Sequence, residues 1–183
     1  MKIKELLVTK GSNQLISITG WVRTRRGGKN VSFITINDGS TINSIQVVAE
    51  GGAFKEALIK QISTGCCVLV EGKLVQSRGS GQAVEILAVS IKILGEASPE
   101  EYPLQPKKHS LEFLREKSHL RFRTSTFSAV FRVRHSLTFA IHKFFNERGF
   151  FNLHTPIITG VDAEGAGEMF QVTSLDLNNL SKN

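Results

Sequence analysis

A small β-barrel followed by a helix-led α+β segment is the architecture this sequence predicts, and three observations predict it. Residues 15–49 alternate apolar and polar side chains between glycine-rich turns, as half-buried strands do. One short stretch of helical period, 51–62, interrupts the strand pattern before it resumes. A proline cluster then separates this body from the longest periodic segment of the chain, Thr124–Arg148.

The barrel elements follow in order. Ile3–Val8 accommodates one helical turn, and Leu15–Val22 alternates and opens the first strand. From Gly20 to Ala49 three strands read through Trp21, Val22, Val31, Phe33, Ile34, Ile36, Ile45, Val47 and Val48. Gly27-Gly28 and Asn37-Asp38-Gly39-Ser40 are the two turns between them, built from residues that tolerate positive φ. Phe54, Leu58 and Ile62 recur at helical spacing, and Gly65 stops that helix. Cys66–Gln76 and Ala83–Leu94 return to strand around the turn Ser77–Gly81; Val84, Ile86, Leu87, Val89, Ile91 and Ile93 are its core candidates. Three strands, a helix and two strands is the order of the OB-fold, a five-stranded Greek-key barrel. Residues 1–95 are long enough to close such a core independently.

Residues 96–123 form a hinge in which Pro99, Pro103 and Pro106 restrict φ and favour extended chain. Lys107, Lys108 and His109 follow, and Ser110 is placed to cap a short helix over Leu111 and Leu114. In 124–183, Phe127, Val130, Phe131, Leu137, Ile141, Phe144 and Phe145 recur every three or four residues, with Arg134 interrupting the stripe. Thr124 or Ser125 caps this helix and Gly149 stands at its C′ position. Phe150–Ile158 then reads as extended, with Pro156 marking an edge strand or a strand start.

Charge is unevenly spread. The formal net charge is +7; residues 1–94 hold 12 Lys and Arg against 6 Asp and Glu, whereas residues 150–183 hold 1 against 4. A basic body points to a polyanionic partner, and the acidic end to a different ligand. No apolar run approaches the roughly 20 residues of a membrane span, and the first residues lack a secretory h-region. Cys66 and Cys67 are adjacent on a strand, so their side chains diverge and they read as reduced thiols of a cytoplasmic protein. Arg23, Arg25 and Arg26 lie on the first strand, with Phe33 and Gln46 on the next two. A curved sheet with arginines, an aromatic and an amide is how small barrels hold single-stranded nucleic acid. Residue type alone equally permits Phe33 in the barrel core and Gln46 and Glu85 as solvated surface groups.

Three passages carry a family resemblance: GWVRTRR…VSFITINDGS…IQVV, HSLEFLREKSHLRFRT, and GFFNLHTPIITGVDAEGAGEMFQVTSLDLNNL. Together they resemble the class II aminoacyl-tRNA synthetases of the aspartate/asparagine branch, and most closely the bacterial asparaginyl type. The resemblance implies an OB-fold domain that binds the anticodon, a hinge, and the start of an α+β catalytic domain. By that resemblance Phe33 stacks on an anticodon base, Gln46 hydrogen-bonds the central uracil, and Glu85 accepts from the guanine at the first position. Arg23, Arg25 and Arg26 hold phosphates, a salt-dependent role that reads no sequence. Thr124–Ile158 matches motif 1 of these enzymes, including its proline, Pro156. A homodimer interface containing Phe131 and Pro156 is therefore implied. Glu164, in the loop Glu164–Glu168, matches the carboxylate that approaches the α-ammonium group of the amino acid.

The implied whole enzyme joins asparagine to ATP, with Mg²⁺, as asparaginyl-adenylate and passes the acyl group to tRNA(Asn). The ATP-binding motifs 2 and 3 find no match here: Phe122-Arg123 is followed by Thr-Ser, and Phe131-Arg132 by Val-Arg. No catalytic residue is therefore assigned, no metal site is expected, and the 183-residue chain alone is expected neither to bind ATP nor to activate asparagine. Two alternatives stand beside this reading. The chain could belong to an aspartyl-tRNA synthetase, whose anticodon shares guanine and uracil at the first two positions. It could also be a non-catalytic OB module that binds tRNA or other single strands.

Overall fold

A computed structural model of the chain describes residues 1–28, 30–77, 79, 81–160, 170 and 172–176. Its elements are α1 (Ile3–Leu6), β1 (Leu15–Gly27), β2 (Val31–Asn37), β3 (Ile45–Glu50), α2 (Glu56–Gln61), β4 (Cys67–Gln76), β5 (Val84–Gly95), α3 (Leu111–Glu116), a 3₁₀ turn (Arg121–Arg123) and α4 (Ser125–Asn146). The chain divides into two compact units, Met1–His135 and Ser136–Asn183.

In the first unit the five strands close into a barrel of order β1-β2-β3-β5-β4. Closure depends on the length of β1: its first half pairs with β4 from Leu15↔Lys73 to Trp21↔Cys67, and its second half pairs with β2 from Trp21↔Asn37 to Gly27↔Ser32. Gly20 sits beside that hand-over. A Cβ there would lie 2.7 Å from Ile36 Cγ2, so only glycine lets β1 cross so close to β2. The barrel shuts through the parallel pairing of β3 with β5 at Val47↔Ile86 and Val48↔Leu87. Alternate residues then fill the interior: Ile16, Ile18 and Val22 from β1, Ile34 and Ile36 from β2, Ile45 and Val47 from β3, Val68 and Val70 from β4, and Val84 and Ile86 from β5. Enclosing side chains of this size stabilises by roughly 1.5–3 kcal/mol each, which is what holds so small a sheet closed.

Two details depart from the sequence expectation. The helix between β3 and β4 is shorter than 51–62, because Gly52 adopts φ +87° and Lys55 stays extended, so α2 starts only at Glu56. Phe54 and Ile59 still pack against the core, and Ile62 is buried in it. In β5, Val89 is 61% exposed rather than internal. A register shift between Glu71 and Gly72 of the partner strand β4 breaks the simple alternation opposite it.

Residues 96–123 do not stand free of the barrel. Leu104 and Leu114 are buried, and Tyr102 lies so close to Gly65 (φ +95°) that a Cβ there would sit 2.8 Å from its ring. Arg123 stacks its guanidinium 4.7 Å from the Trp21 ring centroid. Ser110 caps α3 by accepting from the Phe113 amide at 3.2 Å. Thr124 caps α4, its hydroxyl accepting from the Phe127 amide.

In α4 none of the residues is buried. The helix ends as expected: Gly149 has φ +84°, and the Phe150 amide returns to the Phe145 carbonyl at 3.1 Å. Phe150–Gly160 forms no strand among the described residues, contrary to the extended-strand expectation; a strand needs a neighbour to pair with, and none lies beside it there. No helix of the described residues is long and apolar enough to cross a membrane.

Candidate nucleic-acid interface

The outer face of the barrel is built by strand parity. In β2 the inward residues are Ser32, Ile34 and Ile36, so Phe33 and Thr35 point outward and are half-buried. In β3 the inward set Ile45, Val47 and Ala49 leaves Gln46 and Val48 outside. Glu85 alternates with the core residues Val84 and Ile86 at the start of β5, and its outward side chain is only 9% exposed. These strands are neighbours, so Phe33, Gln46 and Glu85 share one surface.

β1 joins that surface through an irregularity. Val22 pairs with Ile36 but Thr24 pairs with Thr35, which leaves Arg23 as an extra residue in the ladder. From there the parity is reversed. Thr24 donates its hydroxyl to Thr35 on the outer face, and Arg26 pairs with Phe33. Arg25 instead stands opposite the core residue Ile34, and its Nε donates to the Ile62 carbonyl at 2.9 Å beyond the end of α2. Arg23 itself leaves the sheet and donates to the backbone carbonyl of Arg123. Its burial lowers the guanidinium's affinity for its proton; Tyr102 opposes that and Arg123 adds to it. The three arginines that lie together in the sequence thus go to three places, and Arg26 alone of the three stands beside Phe33.

A chain of hydrogen bonds connects the outer-face residues. Arg26 Nη2 donates to Gln46 Oε1 at 3.0 Å, Gln46 Nε2 donates to Glu85 Oε2 at 3.1 Å, and Ser77 Oγ donates to the same Oε2 at 3.1 Å. The amide orientation follows from charge: its oxygen faces the guanidinium and its nitrogen the carboxylate. The Arg26 guanidinium carbon lies 5.6 Å from the Phe33 ring centroid, within cation–π range. An aromatic face, a cation, an amide and a carboxylate are the groups needed to stack a base, neutralise a phosphate and hydrogen-bond base edges. Ser77 was not among the residues the sequence singled out. Its signal is the hairpin itself: Gln76↔Val84 is the last pair of the β4–β5 ladder, which sets the next residue of the turn beside Glu85.

The remaining expected residues lie elsewhere. Phe131 is half-buried against Phe127, ring centroids 6.2 Å apart, with Arg121 over both rings. Pro156 is exposed. Glu164 lies outside the described residues. Among the described residues no group of three or more His, Cys, Asp or Glu side chains is placed to hold a metal ion. Cys66 and Cys67 are free thiols.

Comparison with known proteins places both parts of the chain. The family model for an OB-fold nucleic acid binding domain matches residues 16–94, and that for class II tRNA synthetases (D, K and N) matches residues 110–181. The chain is 55% identical to the asparagine–tRNA ligase of Cytophaga hutchinsonii over 184 aligned residues, covering 100% of the chain and 40% of the relative. It is 56% identical to that of Phocaeicola vulgatus over 181 residues, 99% of the chain and 38% of the relative. Among solved structures, asparaginyl-tRNA synthetase from Pyrococcus horikoshii complexed with asparaginyl-adenylate superposes with a TM-score of 0.79 at 22% identity, covering 94% of this chain and 40% of that one. Aspartyl-tRNA synthetase from Entamoeba histolytica follows at 0.71 and 20% identity, covering 88% and 40%. The fold is an OB barrel followed by part of a class II synthetase domain, and in sequence the chain resembles asparagine–tRNA ligases from end to end. It spans about two-fifths of the length of the curated relatives it matches.

Proposed function

We propose that this chain is the anticodon-binding and dimer-forming part of an asparagine–tRNA ligase, which charges tRNA(Asn) through asparaginyl-adenylate in the cytoplasm. The observation that carries the reading is the joining of Arg26, Gln46 and Glu85 on one outer face of the barrel, with Phe33 beside Arg26. Phe33 stacks on an anticodon base, Gln46 meets the polar edge of the central uracil, and Glu85 accepts from the guanine before it. Arg26 sits where it neutralises an adjacent phosphate. Arg23 and Arg25, tied to the carbonyls of Arg123 and Ile62 away from Phe33, add their charge to the attraction for the phosphate backbone.

The bands either side of Arg134 on α4, with Phe131 and Pro156, supply the homodimer interface, and Glu164 approaches the asparagine α-ammonium group. ATP and Mg²⁺ serve the whole ligase, and the chain alone is inactive in adenylate formation, because the arginines of motifs 2 and 3 that would stabilise the charge on the α-phosphate find no match in it. Phe33, Gln46 and Glu85 suit the guanine and uracil that both anticodons contain, so the choice of asparagine over aspartate rests on the relatives' shared name.

The test is binding of an RNA hairpin carrying the guanine–uracil–uracil anticodon. At fixed salt, Phe33→Ala should weaken it by about tenfold or more, as loss of one base–aromatic stack does. Gln46→Ala should weaken it in the same direction. Unchanged affinity in both variants would remove the anticodon assignment and leave a barrel that binds nucleic acid elsewhere.

A further inference from the structure

We infer that the first two bases are not read independently: in the free protein their readers are bonded to each other, and that bond is exchanged for the pair of bases. This rests on the assignment of guanine to Glu85 and uracil to Gln46.

Glu85 Oε2 already takes two donors, Gln46 Nε2 and Ser77 Oγ, both at 3.1 Å. Two donors on one carboxylate oxygen use its in-plane lone pairs. Guanine offers two N–H groups side by side and meets a carboxylate through both oxygens, so one of the two resident donors leaves Oε2. Ser77 is the less free to leave. Its own amide donates to the Ala83 carbonyl at 3.0 Å, and its Oγ accepts from the Gly79 amide at 3.2 Å, so the turn fixes that hydroxyl. Gln46 has somewhere to go. Its amide is held at both ends, by Arg26 at the oxygen and Glu85 at the nitrogen, and a uracil beside it offers both an acceptor and a donor.

The consequence is a coupling with a definite sign. Guanine takes the place of Gln46 on Oε2, and a uracil that engages both ends of the Gln46 amide, its N3–H on Oε1 and a carbonyl on Nε2, turns the amide away from Glu85; whichever base arrives first thus breaks the bond, and the second finds it already broken. A loop carrying neither base leaves the bond intact and so is penalised less than two independent losses would require. Ser77 is then a positioning residue: it keeps Oε2 oriented while Gln46 exchanges.

Four hairpins that differ at the first two anticodon positions (guanine–uracil, adenine–uracil, guanine–cytosine and adenine–cytosine) test this on the unmodified chain at one salt concentration. The affinity lost in the double change should be about fivefold smaller than the product of the two single losses, the scale of one intramolecular hydrogen bond. In Glu85→Ala, uracil preference over cytosine in the adenine-first hairpins should rise about fivefold, whereas simple loss of structural support would lower it. Single losses that multiply would overturn the coupling while leaving the base assignment standing. Equal affinity for all four hairpins would overturn both.

Discussion

In β2 and β3, Ile34, Ile36, Ile45 and Val47 are fully enclosed, whereas in α4 Leu137, Phe139 and Ile141 are 58–66% exposed. The side chains are of one kind; what differs is the geometry available to bury them. A strand offers its apolar residues on one face, and a sheet that curls until its first strand meets its last supplies the opposing wall from within the same 80 or so residues. A single helix has no such recourse. α4 carries apolar residues beyond one stripe, Val133 and Phe139 lying off the Phe127–Phe145 line, and a helix apolar on several sides belongs inside an assembly. The barrel encloses its own apolar face, whereas the described residues leave that of α4 open.

The largest expected effect separates the two regions by stability. Ile86→Ala, in the barrel interior, should cost about 2–5 kcal/mol in urea unfolding. Leu137→Ala should stay within about 0.5 kcal/mol. A comparable loss at Leu137 would show that α4 is already packed and would break the contrast. The next effect concerns association. The exposed face of α4 should make the chain self-associate with concentration in sedimentation, and Ile141→Glu with Phe144→Glu should return it to monomer. A wild-type chain that stays monomeric at high concentration would mean that some other element covers the helix.

The smallest effect sharpens the account of the barrel. Asp38 lies in the turn between β2 and β3. Burial alone would raise its pKa, but the Ser40 hydroxyl at 2.6 Å and the amides of Ile3 and Ser40, each at 2.9 Å, outweigh it and hold the carboxyl below its ordinary value. A depressed carboxyl contributes stability that is complete above its unfolded pKa, near 4, and is lost as pH falls through the lower folded value. Asp38→Asn should therefore weaken the barrel at neutral pH and flatten the steepness of its acid unfolding below pH about 4. An unchanged acid limb would remove Asp38 as the clasp between α1 and this turn.

Much of this was legible in the chain. The strand order, the helix between β3 and β4, the Ser110 and Thr124 caps and the Gly149 stop follow from alternation and turn chemistry, which are local. Phe33 and Gln46 could be set on one sheet from the strand pattern, but Glu85 joined them only through the family resemblance, since neither register nor barrel closure is encoded in residue type. The scattering of Arg23, Arg25 and Arg26 was not legible, because one unpaired residue reverses all later parity and nothing in Val-Arg-Thr-Arg-Arg marks which residue that is. Ser77 escaped for a related reason: its role depends on a cross-strand neighbour eight residues on. The missing strand over 150–158 reflects the opposite limit, a local preference with no partner to realise it.

The irregularity at Arg23 also bears on how such a chain can change over generations. The unpaired Arg23 is a reserve of length in the strand. Its loss would close the ladder, with Val22 still opposite Ile36 and Thr24, Arg25 and Arg26 still opposite Thr35, Ile34 and Phe33. What would go with it is the bond to the Arg123 carbonyl, so at this point the strand spends one residue on a tie to the segment after β5 and keeps the face of every later side chain.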